Sequence, residues 1–204
     1  MYLLTKPTPA QIQAFLLQQG ELPFNYSQVG ATHLQVYKVP AYLPRGYVID
    51  HNRIPLGTGA AMFASARQAL QQWRMFAMDW VTPFPCPATI AENTLVAILA
   101  QVPGVWSLNA ARIIYVLEQR GLIERYGFAY GTLPDHAAQG EERFTVEWHH
   151  QDDSVWYDIL AFSRPHQPLA RLGYPLARGL QRRFAVASLQ AMVQAVSPVD
   201  SKGR

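Results

Sequence analysis

Tyr130, His136 and Glu142 lie within one short stretch and have side chains that can move a proton. A phenol, an imidazole and a carboxyl act as general acids or bases when their surroundings bring their pKa values near the working pH. On a strand, Glu142 alternates onto the same side as Phe144, Val146 and Trp148, while Glu141, Arg143, Thr145 and Glu147 take the other. A carboxyl among three large apolar side chains is desolvated, and its pKa rises unless a cation pairs with it. Arg164, Arg178 and Arg182 are the candidate cations. Three readings stay open: a structural ion pair, a general acid or base in a cavity, and a solvated hairpin end. His136 follows Pro134-Asp135 in a turn. Asp135 or Glu141 can orient it as a base, or the ring can hold its own loop backbone.

The stretch before it sorts in the same way. Tyr126, Phe128, Tyr130 and Thr132 share one strand face; Gly127, Ala129 and Gly131 form the other. The aromatic face reads as a pocket lining with the Tyr130 hydroxyl as its polar tip. The flat glycine face reads as a place for the C-terminal helix to pack closely. The candidate ligand-binding residues are therefore Tyr126, Phe128, Thr132, Phe144, Arg143, Arg164 and Trp148, with Arg164 able to clamp an anionic head at the end of its strand.

Other chemistries find no support. No Ser or Cys sits at a nucleophile elbow. His149 and His150 precede Asp152 and Asp153, but adjacent strand residues point to opposite faces, so no metal site is expected. The one cysteine, Cys86, lies between two prolines without a basic neighbour and can form no intrachain disulfide. Gly57-Thr58-Gly59 lacks the lysine of a phosphate loop and the third glycine of a dinucleotide fingerprint, and no cofactor is expected. The net charge is +3, and the fourteen arginines and three lysines form no run, so nucleic acid is not an expected partner. The opening residues lack the pattern of a signal peptide, and the longest apolar run, residues 95–100, is far below the roughly 20 needed to span a bilayer. A cytoplasmic protein without stable membrane insertion is expected.

The elements that must position these groups follow from periodicity. Half of the 204 residues are hydrophobic and 15% are charged, which suits one domain with a short appendage. Thr8-Pro9-Ala10-Gln11 opens a helix with a capping box, Ile12, Phe15 and Leu16 form its stripe, and Gly20 ends it. A short strand is possible over residues 33–38, stopped by Pro40 and Pro44. Residues 47–54 read as a strand broken by Gly57-Thr58-Gly59, with Thr58 as the cap of a helix that carries Phe63, Ala66, Leu70 and Trp73 on one face. Strands follow over 94–101, 109–118, 125–133, 141–149 and 154–163, with connections short enough for antiparallel hairpins. A long helix begins near Pro175, with Leu176, Leu180, Phe184, Ala187 and Ala191 in its stripe, and Pro198 ends it. This order predicts an α+β helix-grip, a curved antiparallel sheet wrapped around a long C-terminal helix, with a cavity between them and an extra N-terminal helix. Residues 1–24 form the N-terminal helical appendage, 25–197 the single domain, and 198–204 a disordered tail. Val155, Tyr157 and Ile159 oppose Trp156, Leu160 and Phe162, so both sheet faces need cover, supplied by the N-terminal helix or by residues 21–46.

Gly127-Phe128-Ala129-Tyr130-Gly131-Thr132-Leu133-Pro134-Asp135-His136 followed by Gly140-Glu141-Glu142-Arg143-Phe144 resembles the core motif of a bacterial and plant family known as a domain of unknown function, nineteen-ninety. Val29-Gly30-Ala31-Thr32, Leu56-Gly57-Thr58-Gly59 with Phe63, Ala66 and Trp73, Val155-Trp156-Tyr157, Ala161-Phe162-Ser163-Arg164-Pro165 and Gln181 extend the likeness over residues 25–195. That family is distantly similar to the START-like helix-grip superfamily of lipid carriers, polyketide cyclases and hormone receptors. The resemblance implies the same fold, and fold alone does not name a function. The sequence leaves three functions in play: binding of a small hydrophobic or amphipathic molecule, acid–base catalysis of cyclase, isomerase or hydrolase type, and protein interaction by a chain with a filled core. It leaves the oligomeric state open.

Overall fold

The computed structural model describes residues 1–33, 38–43 and 45–197. The possible strand at 33–38 and the tail at 198–204 fall mostly or wholly outside them, as do Pro44 and Pro198; the described start of the former, Ala31–His33, is a 3-10 turn.

A short strand β1 (Tyr2–Leu3) precedes helix α1 (Pro9–Gln19). The capping box forms as the sequence predicts: the Gln11 amide donates to Thr8 Oγ1 at 3.3 Å, and the Thr8 amide to Gln11 Oε1 at 2.8 Å. A one-turn helix α2 (Val39–Tyr42) leads to β2 (Val48–Thr58). This strand outruns its expected end, because a register shift between Pro55 and Gly57 keeps it paired. Helix α3 (Gly59–Gln71) buries Phe63, Ala66 and Leu70. Thr58 holds the cap position, but its side chain makes no capping bond; instead the Gly59 amide donates to the Asp153 carbonyl at 2.9 Å.

The strands that follow are β3 (Val81–Phe84), β4 (Leu95–Val102), β5 (Val105–Gln119), β6 (Ile123–Thr132), β7 (Ala138–His149) and β8 (Ser154–Pro165). They pair antiparallel in the order β2-β8-β7-β6-β5-β4-β3, and β1 joins β5 beside Trp106 and Ser107. β5 starts earlier than periodicity suggests, because Pro103-Gly104 is a two-residue hairpin turn with Val102 opposite Val105. β3 was hidden by Pro83, which a strand tolerates here because β3 lies at the sheet edge. A short helix α4 (Pro168–Leu172) leads into α5 (Tyr174–Val196). The architecture is α+β: a curved antiparallel sheet gripping the C-terminal helix.

Both sheet faces are covered. On one lie α3, α5 and the 3-10 turn Arg74–Phe76, over Phe128, Phe144, Tyr157 and Ile159. On the other, α1 seals Leu99, Leu108 and Leu133, and the segment around Tyr26 and Val39 seals Leu160 and Phe162. The glycine face of β6 belongs to this second layer, which corrects the expectation that the C-terminal helix packs there. A Cβ on Gly131 would overlap the Tyr26 hydroxyl, so glycine admits the N-terminal segment instead. At Gly140, with φ +150, a Cβ would overlap the Phe162 carbonyl, so glycine lets β7 and β8 approach at their bend.

Glu141 ties this layer to the sheet. It is 3% exposed. Its carboxylate accepts from the Tyr26 hydroxyl at 2.9 Å and from the amides of Gly30 and Thr32 at 2.8 and 2.9 Å. It also accepts from the Thr32 hydroxyl, which contacts Tyr115. Removing a buried acceptor strands every one of those donors. Glu141→Ala is therefore expected to lower stability by roughly 3 kcal/mol or more, read as a fall in the urea midpoint. A change below about 1 kcal/mol would show that these bonds do not hold the layer.

Candidate functional site

The N-terminal half of α5 does not fill the trough beneath it. Two adjoining lobes of about 440 and 570 Å³ lie between this half and the sheet, sharing Trp80, Ala100, Asn109, His136, Ser163 and Leu180 in their walls. The C-terminal half of the helix differs: Ala185, Ser188, Ala191 and Met192 are buried. Leu176, near the start of the expected stripe, is 54% exposed. The hollow therefore begins where the helix stops packing.

Polar bonds hold the raised half in place. Arg178 grips Asp50 of β2 with both Nη atoms at 2.7 Å. Its Nη1 also donates to Gln181 Oε1 at 2.6 Å, and Gln181 Nε2 donates to Ser163 Oγ of β8 at 3.0 Å. This forked pair and its neighbour latch α5 to two strands at the rim.

The floor carries the proton-active groups. Tyr130 on β6 stands opposite Glu142 on β7, and its hydroxyl donates to Glu142 Oε2 at 2.6 Å. Glu142 Oε1 has no hydrogen-bond partner among the described residues. Both side chains line the larger lobe. Protein encloses the carboxyl except where the hollow reaches it. Burial raises the Glu142 pKa to about 7; the Tyr130 hydrogen bond opposes the rise and the Asp50 charge adds to it. Burial likewise pushes the Tyr130 phenol well above its usual value, with the nearby Glu142 charge reinforcing it. Neither Arg178 nor Arg164 pairs with Glu142, contrary to one sequence reading: Arg178 is taken by Asp50, and Arg164 stacks on Tyr47 at 4.5 Å.

His136 also lines both lobes. Its partner is not Asp135 or Glu141. Nδ1 lies 3.0 Å from the Ala138 amide and 3.1 Å from the Ala138 carbonyl, so the ring braces its own loop backbone. Asp135 instead accepts from Gln19 Nε2 at 2.8 Å. Burial drives the His136 pKa down to about 3, so the ring is neutral and is not a base positioned by a carboxylate.

The remaining candidates divide. Thr132 lines the larger lobe, though its hydroxyl is engaged by Asn25 and Gly140, and Arg164 lines the smaller lobe at its mouth. Tyr126, Phe128, Phe144 and Trp148 share the inner face but line neither lobe. Phe128 stacks on Trp73 at 4.9 Å, Phe144 on Phe76 at 5.8 Å and Trp148 on Phe63 at 6.1 Å, while Arg67 covers Tyr126. Helix α3 and the turn after it plug that end of the trough. Arg143 lies on the opposite face, where it donates to the Thr32 carbonyl at 2.8 Å and to Asp158 at 3.1 Å. Asp50, Arg178 and Gln181 were the residues missed as a group. Their signal was Asp50 and Asn52 on one side of a strand and a polar pair three apart on a helix otherwise aliphatic there. His149, the last residue of β7, turns towards Glu147, and His150, in the turn beyond it, packs against Trp148. No group of three His, Cys, Asp or Glu side chains among the described residues is placed to hold a metal ion. No helix among them is long and apolar enough to cross a membrane.

The family described as Domain of unknown function (DUF1990) matches residues 25–191. A UPF0548 protein of Dictyostelium discoideum is 36% identical over 208 residues, covering 96% of each chain. A UPF0548 protein of Deinococcus radiodurans is 32% identical over 206 residues, covering 96% of this chain and 98% of its own. Among solved structures, a START superfamily protein from Mycobacterium smegmatis is similar, with a TM-score of 0.46 and 10% identity over 74% of this chain and 99% of that one.

The Glu142 environment has a measurable signature. Folding raises its pKa from 4.5 to about 7, so within that window the native state binds more protons than the unfolded chain. The group's contribution to stability is then fully present in acid and is lost as pH rises through 7. His136 has the opposite sign, destabilising the fold on acidification below its ordinary value, and is the same in both proteins of the comparison that follows. Relative to wild type, Glu142→Gln is expected to gain up to roughly 3 kcal/mol between about pH 5 and pH 7.5, measured by urea denaturation across pH. Loosening the latch has a local effect: in Asp50→Asn, amide exchange over residues 174–183 is expected to accelerate about tenfold or more while that of the β6–β7 pair stays unchanged.

Proposed function

The chain belongs to the DUF1990 family, and from that premise we propose that it binds a small, partly apolar molecule in the hollow between the sheet and α5. The observation that carries this reading is the pairing of an open, largely apolar space with a few convergent polar groups: Tyr130, Glu142 and the His136 ring. Such sites gain affinity from apolar walls and orientation from sparse polar contacts. The walls suit that division, with Phe76, Trp80, Ile159 and Phe184 around the carboxyl. A filled core would support the interaction reading; the open lobes favour the binder.

A second reading rests on one observation. A carboxyl with a pKa of about 7, hydrogen-bonded to a phenol beside a ligand-sized space, is suited to give or take a proton at neutral pH. It uses the same ligand site, with Glu142 as acid or base and Tyr130 as its hydrogen-bond partner.

Ala161 offers a direct test. It lies opposite Glu142 across β7 and β8 and lines the larger lobe. N-Phenylnaphthylamine, a neutral fluorescent molecule, is expected to bind wild type saturably, and Ala161→Phe to weaken binding about tenfold or more while far-UV dichroism and thermal midpoint stay near wild type. Absence of saturable binding to wild type, together with no small molecule retained in native mass spectra of the purified protein, would overturn the reading.

A further inference from the structure

We infer that the polar end of the ligand is a cationic nitrogen, an amine or amidine type, seated against Oε1 of Glu142. This rests on the binding reading and adds the ligand's chemistry. Three observations converge. First, Glu142 satisfies Oε2 through Tyr130, but Oε1 faces the hollow without a partner among the described residues. A desolvated carboxylate needs a cation or a proton, and no cation among the described residues pairs with it. Second, the charges facing it disfavour an anion. Asp50 of β2 is balanced by Arg178 of α5; Tyr157 of β8 is bonded to Ser188; His136 is neutral; and Arg182 is exposed at the wall. An anionic group here would meet the Glu142 carboxyl and the balanced Asp50–Arg178 pair, with Arg182 exposed at the wall. Third, the rings of Phe76, Tyr130 and Phe184 line the same lobe, with Trp80 beside them under the Arg183 guanidinium at 4.5 Å, and ring faces attract cations while their hydrocarbon packs an apolar body.

The ligand that fits is therefore an arylalkyl or alicyclic ammonium, apolar over most of its surface with one basic nitrogen. A permanent cation binds the ionised carboxylate and excludes its proton, so its affinity follows Glu142 ionisation. With the pKa at about 7, the ionised fraction rises about tenfold from pH 6 to pH 8.

The test uses full-length protein and a matched pair of probes, phenylbutylammonium and phenylbutanol, each displacing N-phenylnaphthylamine. Expected are an affinity for the ammonium that rises about tenfold from pH 6 to pH 8, no such rise for the alcohol, and a preference for the ammonium of about tenfold at pH 8. Glu142→Gln should abolish the preference and the pH dependence while retaining the alcohol. The pH series on wild type stands without the variant, should the variant fold poorly. Equal binding of both probes at both pH values, or tighter binding of the alcohol, overturns the cation assignment and leaves the binding site standing. Failure of both probes to displace the fluorophore overturns the assignment as well, whereas failure of the fluorophore itself to bind wild type is the result that removes the site.

Discussion

The pleat of β7 at residues 141 and 142 governs this molecule. Two adjacent carboxylates leave the strand on opposite faces. Glu141 enters the outer layer, where its oxygens meet the hydroxyl of Tyr26 and the amides of Gly30 and Thr32. Glu142 enters the inner space, where a single phenol meets it. One is saturated and fixes the cover of the sheet; the other keeps an oxygen free in a low-dielectric space. A buried charge is tolerated only when it is bonded or can take up a proton, and the two neighbours use these two solutions.

The hollow depends on an uneven distribution of bulk along the trough. At one end α3 and the following turn drive Trp73, Phe63 and Phe76 onto Phe128, Trp148 and Phe144, and the space closes. Towards the other end α5 presents Leu180 and Gln181 above Ala100, Ala161 and Ser163, and small side chains beneath a raised helix leave room. Unpacked apolar surface is costly, so something else must keep the helix from collapsing or drifting. The forked pair of Arg178 with Asp50 and the bond from Gln181 to Ser163 do so, tying α5 to β2 and β8 at fixed points.

Binding and proton transfer are then two uses of one arrangement. Desolvation holds Glu142 near neutrality, and the aromatic walls exclude water without contributing charge. A cationic guest restores the ionised form; a substrate that yields or accepts a proton meets a group already poised between its states. Family membership gives the likeness of the chain to its relatives but no activity, so the functional argument rests on the site itself.

The sequence by itself determined the antiparallel strands after residue 94, both main helices of the inner layer and the capping box of α1, because periodicity and capping are local properties of the chain. It also sorted the neighbours of Tyr130 and of Glu142 by strand alternation, while the register that sets the two opposite each other came from the structure. What only the tertiary structure decided was which inward residues meet open space. Phe128, Phe144 and Trp148 share the face of Tyr130 and Glu142 yet lie under α3, a helix distant in sequence, so no alternation rule separates them from the pocket. The face taken by the glycines, the loss of Arg178 to Asp50 and the turn of His136 onto its own backbone have the same cause. Each depends on a partner that chain order does not bring near, and a polar group's partner is settled by packing across the sheet rather than by its neighbours along the strand.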